Sequence, residues 1–334
     1  MTIPVSIIVP CRNEEKTIRQ MLESIISQTY PKEKLELILS DAQSTDKTLE
    51  VVRQFQSEHA DLRLTLVENT RNSIPAGLNQ AIRQARGDIL IRLDAHSVPI
   101  PEYVQRCVEA HQKEKGDNIG GVWDIRPGTG TWIAEAIAGA AAHPLGAGDA
   151  LYRLNAREGA VDTVPFGSFK RSLIDRVGYF DETLLTNEDY EFNVRVREAG
   201  GVVWLDPTIR SIYFARGTFG DLASQYWRYG YWKFRMLRRY PHTLRLRQAL
   251  PPMFVAALLV LSVLSLWFVP AVLLLGLQIL VYFLVLAGAG IVSAIKKNKI
   301  HLSLGMPLAM MIMHFSWGTG FLWSMTQSMV RDHG

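Results

Sequence analysis

The sequence predicts an α/β fold built on a mostly parallel sheet, joined at its C-terminal end to membrane helices. Three observations carry this prediction. Strand-like and helix-like stretches alternate four times within the first 93 residues. Charge is divided unevenly: residues 1–221 hold 25 Lys and Arg against 31 Asp and Glu, whereas residues 222–334 hold 11 against 1. The basic part is also the apolar part. Alternation of this kind argues for parallel strands covered by helices on both faces. A basic segment that is also hydrophobic suits a membrane better than a nucleic acid.

Residues 5–10, Val-Ser-Ile-Ile-Val-Pro, read as a strand stopped by proline. Asn13-Glu14-Glu15 opens a helical pattern carried by Ile18, Leu22, Ile25 and Ile26. Residues 35–39 form a second strand and 41–46 a polar loop, where Thr45 or Asp46 is placed to cap a helix running through Phe55. Residues 62–67 form a third strand. A helix over 75–85 follows, with proline in its first turn. The fourth strand, 89–93, ends in Asp94-Ala95-His96. In an extended chain, side chains at i and i+2 point the same way, so Asp94 and His96 are expected to face one spot while Ala95 turns to the core. Residues 102–115 read as a helix and 120–126 as a strand. The Gly- and Ala-rich stretch 128–148 reads as partly mobile, and 202–205 and 209–214 as short strands separated by Asp206-Pro207.

Residues 221–240 interleave Tyr226, Trp227, Tyr229, Tyr231, Trp232 and Phe234 with Arg228, Lys233, Arg235, Arg238 and Arg239. This is the composition of a helix lying in the membrane–water interface. Arginine and aromatics also bind single-stranded nucleic acid, but apolar spans follow at once, and nucleic acid is not an expected partner. Residues 253–269 and 271–295 reach or approach the length that crosses about 30 Å of hydrocarbon. Arg245 and Arg247 on one side, and Lys296, Lys297 and Lys299 on the other, put both flanks in the cytosol. A weaker third segment, 302–325, contains His314, Ser316, Gly318, Thr319 and Gly320; it either crosses or re-enters. The N-terminus lacks the basic-then-apolar layout of a signal peptide. Two cysteines, Cys11 and Cys107, offer neither a disulfide framework nor a zinc cluster.

Open sheets of this class bind ligands beyond the C-terminal ends of their strands. The polar residues at those ends are Arg12-Asn13-Glu14, Asp41, and Asp94 with His96, from three strands converging on one crevice. No G-x-G-x-x-G follows the first strand and no P-loop signature occurs, which disfavours a dinucleotide dehydrogenase and a P-loop NTPase. Carboxylate and imidazole together suit a divalent cation, and through it a diphosphate.

These pieces, in order, resemble family 2 glycosyltransferases of the GT-A fold, closest to the succinoglycan-biosynthesis ExoA-like membrane subgroup. They are residues 6–14, Asp41-x-x-Ser44-x-Asp46-x-Thr48, Gly77-Leu78-Asn79-x-Ala81-Ile82, Arg92-Leu93-Asp94-Ala95-His96, Asn187-Glu188-Asp189-Tyr190-Glu191, Asp206-Pro207 and Gln225-Tyr226-Trp227-Arg228-Tyr229-Gly230. The resemblance implies a catalytic domain over 1–217, a basic aromatic interfacial region over 218–250 and a transmembrane region over 251–330. It implies donor contacts from Pro10, Arg12, Asn13, Glu14, Asp41 and Asp94. Asp94 and His96 stand where the family has D-x-D, implying a divalent cation, Mg2+ or Mn2+, with His96 either a metal ligand or a direct phosphate contact.

Asp189 takes the place of the general base that an alcohol acceptor needs near neutral pH. Its alternative is plainer: Thr186-x-x-Asp189 also matches a capping box. Glu188 is expected to orient or bind the acceptor. Gln225 and Arg228 resemble the Q-x-x-R-W element of membrane glycan synthases, with Tyr229 in place of Trp, and are expected at the acceptor or diphosphate. The implied function is inverting transfer from a nucleotide-sugar, with UDP as the expected nucleotide, to a lipid-linked glycan in exopolysaccharide or glycan assembly. The expected protein is multi-pass in the inner or plasma membrane, touches membrane lipids and holds its catalytic domain in the cytosol. Its rivals are transfer directly onto polyprenyl phosphate, and a non-catalytic nucleotide-sugar-binding scaffold.

Overall fold

The computed structural model describes residues 2–154 and 157–332, which divide into two units. The first comprises residues 1–124 and 155–213, the second residues 125–154 and 214–334.

In the first unit the alternation is present: β1 (Val5–Cys11), α1 (Ile18–Ile26), β2 (Leu35–Asp41), α2 (Thr48–Glu58), β3 (Arg63–Glu68), α3 (Ile74–Gln84) and β4 (Ile89–Arg92). β1 pairs in parallel with both β2 and β4, and β2 with β3. The β-branched residues Val5, Ile7, Ile8 and Val9 of β1 are all buried because both faces of a parallel strand are covered. The chain continues through β5 (Ser97–Pro99), α4 (Tyr103–Gln112) and β6 (Asn118–Pro127). After residue 127 it enters α5 (Trp132–Ala141) and α6 (Pro144–Ala147) of the second unit, then returns as β7 (Gly159–Ala160), β8 (Ser168–Lys170), α7 (Ser172–Val177), α8 (Glu188–Glu198) and β9 (Val203–Ala215).

The strand order is β3-β2-β1-β4-β8-β6-β9-β5, with β7 on β9. The sheet is therefore mixed: beyond β4 the pairs β4–β8, β6–β8, β5–β9 and β7–β9 are antiparallel. Asp206-Pro207 does not divide β9, which runs unbroken for 13 residues.

The second unit contains α9 (Phe219–Leu237), α10 (Leu246–Leu264), α11 (Val269–Lys297) and α12 (Leu302–Asp332). α9 is amphipathic, burying Leu222, Gln225, Tyr226, Gly230, Lys233 and Leu237 at helical spacing. Its partner is α12, which also packs on α5, α10 and α11. The stretch read as partly mobile is helical instead. Its small residues admit close neighbours rather than loosening the chain: a Cβ on Gly305 would lie 2.7 Å from the Ala136 Cβ. Gly230 is tighter still, because a Cβ there would meet the Trp317 carbonyl oxygen at 2.1 Å. Gly230→Ala is expected to cost about 1–3 kcal/mol through overpacking of α9 on α12, read as a lower unfolding temperature in detergent.

α10 and α11 are long and apolar enough to cross a membrane, by length and composition. Unlike core helices of a soluble protein they are largely exposed, with Leu259, Val263, Leu273, Leu277, Leu280 and Leu284 facing outward.

Candidate active site

The site is built at the C-terminal ends of β1, β2 and β4, where the loops after β1 and β2 are laced together. Asn13 sits at a positive φ of 54°; its N–H donates to Ser44 Oγ at 2.9 Å and its Oδ1 accepts from the Thr45 N–H at 2.8 Å. It does not cap α1, which begins at Ile18. The Glu14 N–H donates to Thr48 Oγ1 at 2.7 Å, and the Glu15 N–H to Asp46 Oδ2 at 3.2 Å. Asp41 is buried, and both its oxygens turn into its own loop: Oδ2 accepts the Ser44 N–H at 3.0 Å and Oδ1 the Ser44 hydroxyl at 2.5 Å. Asp41 is thus the residue that shapes this loop. Pro10 lies against α3, 3.5 Å from where a Gly77 Cβ would stand, and Arg12 is exposed. Burial, with Glu14, Asp41 and Asp46 nearby, pushes the Cys11 thiol far up, so Cys11 is inert as a nucleophile.

Asp94-Ala95-His96 does not continue the strand. β4 ends at Arg92, and the Ser97 N–H closes a turn onto the Asp94 carbonyl at 3.0 Å. Ala95 does turn inward, at 1% exposure. The extended-chain argument for Asp94 and His96 sharing one direction therefore lapses: the Asp94 carboxylate meets Arg92, and His96 Nδ1 meets Glu14 Oε1 at 3.0 Å. The other Glu14 oxygen accepts the Thr17 hydroxyl at 2.5 Å. A carboxylate on one imidazole nitrogen sets the tautomer and orientation of the ring.

The acids of the Asn187–Glu191 motif are sorted by α8. Asn187 precedes the helix at φ 70°, a left-handed conformation that Asn tolerates, and its side chain makes no cap bond; among the described residues the capping-box alternative for Thr186 and Asp189 is not formed. Glu191 is buried and pairs with Arg195 through both oxygens, at 2.6 and 2.8 Å. Tyr190 donates to Asp162 at 3.1 Å. Glu188 and Asp189 both reach Arg92.

Arg92 is the residue that sequence reasoning passed over. Its Nη2 lies 3.2 Å from Asp94 Oδ1 and 3.0 Å from Glu188 Oε1, and its Nη1 pairs with Asp189 Oδ1. The signal was present: a lone charge inside the apolar run Ile89–Leu93 must find buried partners. Side-chain exposure is 4% for Arg92 and 7% for Glu188, but 26% for Asp94 and 31% for Asp189. The latter two acids are therefore the ones open to a ligand. Burial pulls against the charge on Arg92, but the Asp94 and Glu188 carboxylates outweigh it and hold its pKa above the ordinary value.

Gln225 and Arg228 lie on α9 in the second unit, Gln225 buried and Arg228 exposed. Asn79 proves to be a builder: its Oδ1 accepts the Phe180 N–H at 2.9 Å while its Nδ2 donates to the Phe180 carbonyl and to Glu182. Glu182 in turn pairs with Arg71.

Residues 6–178, more than half of the chain, match the family model for glycosyl transferase family 2. The chain belongs to that family. Among its relatives, the Dolichyl N-acetyl-alpha-D-glucosaminyl phosphate 3-beta-D-2,3-diacetamido-2,3-dideoxy-beta-D-glucuronosyltransferase of Methanococcus voltae is 31% identical over 243 residues, 70% of this chain and 74% of that protein. The succinoglycan biosynthesis protein ExoA of Rhizobium meliloti is 27% identical across 94% of this chain and 93% of its own. A solved structure, the mannosyltransferase PcManGT of Pyrobaculum calidifontis in complex with GDP-Man and Mn2+, has a TM-score of 0.65 at 21% identity, covering 97% of this chain and 88% of its own. The α/β architecture of this family 2 glycosyltransferase is thus that of the GT-A fold.

Proposed function

We propose that this glycosyltransferase moves a sugar, with inversion, from a nucleoside diphosphate sugar to a lipid-linked saccharide at the cytosolic membrane face, in exopolysaccharide or glycan assembly. The observation that carries the reading is Asp189. It is the exposed acid of its pair, and among the described residues only its Oδ1 is engaged. Its other oxygen can take the acceptor proton. The acceptor oxygen attacks the anomeric carbon, the bond from that carbon to the diphosphate breaks, and the electron pair leaves with the nucleoside diphosphate. Glu188, buried on Arg92, orients this machinery rather than meeting solvent.

Asp94 is the counterpart at the donor's diphosphate, again engaged only through Oδ1 among the described residues. No cluster of three or more His, Cys, Asp or Glu occurs among those residues. Asp94, through the oxygen that Arg92 leaves open, would hold a Mg2+ or Mn2+ whose shell phosphate oxygens and water complete, and His96, turned toward Glu14, would serve that cation or a phosphate oxygen. Such a cation would neutralise charge on the departing diphosphate. The nucleoside lies over the laced loops of Pro10, Arg12 to Glu14 and Asp41, with UDP as first choice. The exposed apolar helices α10 and α11, with the basic aromatic α9 before them, supply the membrane contact, and the catalytic domain remains cytosolic.

The test is transfer by purified protein in detergent with Mg2+ or Mn2+, using UDP- and GDP-sugars against a polyprenyl-diphosphate saccharide and against bare polyprenyl phosphate. Transfer to the lipid-linked sugar supports the reading, and the Methanococcus voltae relative's name, which includes a dolichyl N-acetylglucosaminyl phosphate, makes that acceptor class the first to try. Transfer to bare lipid phosphate alone replaces the acceptor. Donor binding with neither hydrolysis nor transfer sinks it in favour of a scaffold.

A further inference from the structure

We propose that Arg92 is the positioning residue of this reaction: one guanidinium holds the base Asp189 in place and shares Asp94 with the incoming donor. The inference rests on the roles assigned above to Asp189 and Asp94. A buried guanidinium is costly, the more so here because Arg92 Nε has no hydrogen-bond partner among the described residues, and an apolar residue at such a place is often the more stable choice. A purely structural ion pair would also bury its partners. Here only Glu188 is buried; Asp94 and Asp189, on the ends of two different elements, keep about a quarter and a third of their side chains open.

The geometry divides the labour. Arg92 Nη2 serves both Glu188, at 3.0 Å, and Asp94, at 3.2 Å, while Nη1 serves Asp189. The bond to Asp94 is the longer of the two measured on Nη2 and joins the more exposed acid, so it is the one a diphosphate and its counter-ion can draw away. Glu188 then keeps the guanidinium on α8, and Asp189 stays fixed for the acceptor. Proton transfer and donor binding are thereby joined through one side chain. Misplacing a reacting group by about 1 Å costs on the order of 100-fold in rate, which is the scale at which such a holder acts.

Three variants test this with the full-length protein in detergent and the nucleotide sugar it turns over: Arg92→Lys, Arg92→Met and the double variant Arg92→Met/Glu188→Gln. The double variant removes the buried charge together with its buried partner, so it separates positioning from folding. For both methionine variants kcat is expected to fall about 100-fold, with donor Kd by calorimetry within about threefold of wild type. Arg92→Lys, which keeps the charge but not the fork, is expected to lose about tenfold in kcat with donor Kd again unchanged. Wild-type kcat in the folded double variant or in Arg92→Lys would overturn the proposal. If the wild-type protein transfers no sugar at all, it is the functional reading that fails.

Discussion

Asp189→Asn is expected to abolish sugar transfer, by a factor on the order of 100 to 10,000 in kcat, while leaving donor affinity nearly unchanged. The substitution keeps shape and keeps an oxygen for Arg92 Nη1, so the buried network around Glu188 is not dismantled. What it removes is the group proposed to receive the acceptor's proton. An alcohol is a poor nucleophile near neutral pH, and no other open acid lies on the first turn of α8, since Glu188 and Glu191 are both buried and paired. The measurement is paired: initial rates with saturating donor and acceptor, and a donor titration by calorimetry. Loss of rate alone fits a base. Loss of both means that Asp189 supports the fold of the site, and the mechanism must be reassigned.

Asp94→Asn is expected to act at the other end, on the donor. A carboxylate at a metal–diphosphate site is worth several kcal/mol, so donor Kd should rise at least about 100-fold and kcat/KM fall with it. Chelation by EDTA should mimic the variant in the wild-type protein, and added Mn2+ should restore the wild type but not Asp94→Asn. His96→Ala refines the assignment. Imidazole is a better ligand for manganese than for magnesium, so loss of a metal ligand should cut the Mn2+ rate more than the Mg2+ rate. Equal loss with both ions assigns His96 to a phosphate oxygen. Full activity after exhaustive chelation would remove the cation from the mechanism and leave Asp94 without its proposed partner.

The legible part of the site was the part written in single strands. The alternation of β1, α1, β2, α2, β3, α3 and β4 follows from hydrophobic period and turn residues, and the rule that ligands gather at strand ends then brings Asn13, Asp41 and Asp94 toward one edge without any coordinates. The antiparallel half was harder to read because β5, β7 and β8 are three residues or fewer, too short to show a period. The Gly–Ala stretch misled for a related reason: small residues look like flexible chain until α12 is seen packed against them.

Local sequence alone determined the class of the fold and the apolar α10 and α11, and it nominated Asp94, Glu188 and Asp189 as candidate site acids. Tertiary structure alone decided how those acids are shared. Two residues apart, Asp94 and His96 looked like a pair; a turn after Arg92 gives one to a guanidinium and the other to Glu14. Glu188 and Asp189 are adjacent, yet burial encloses the first on Arg92 and leaves the second partly open. The physical reason is that a buried charge takes its partners from wherever the fold delivers them, and Arg92 finds its own 96 residues away on α8.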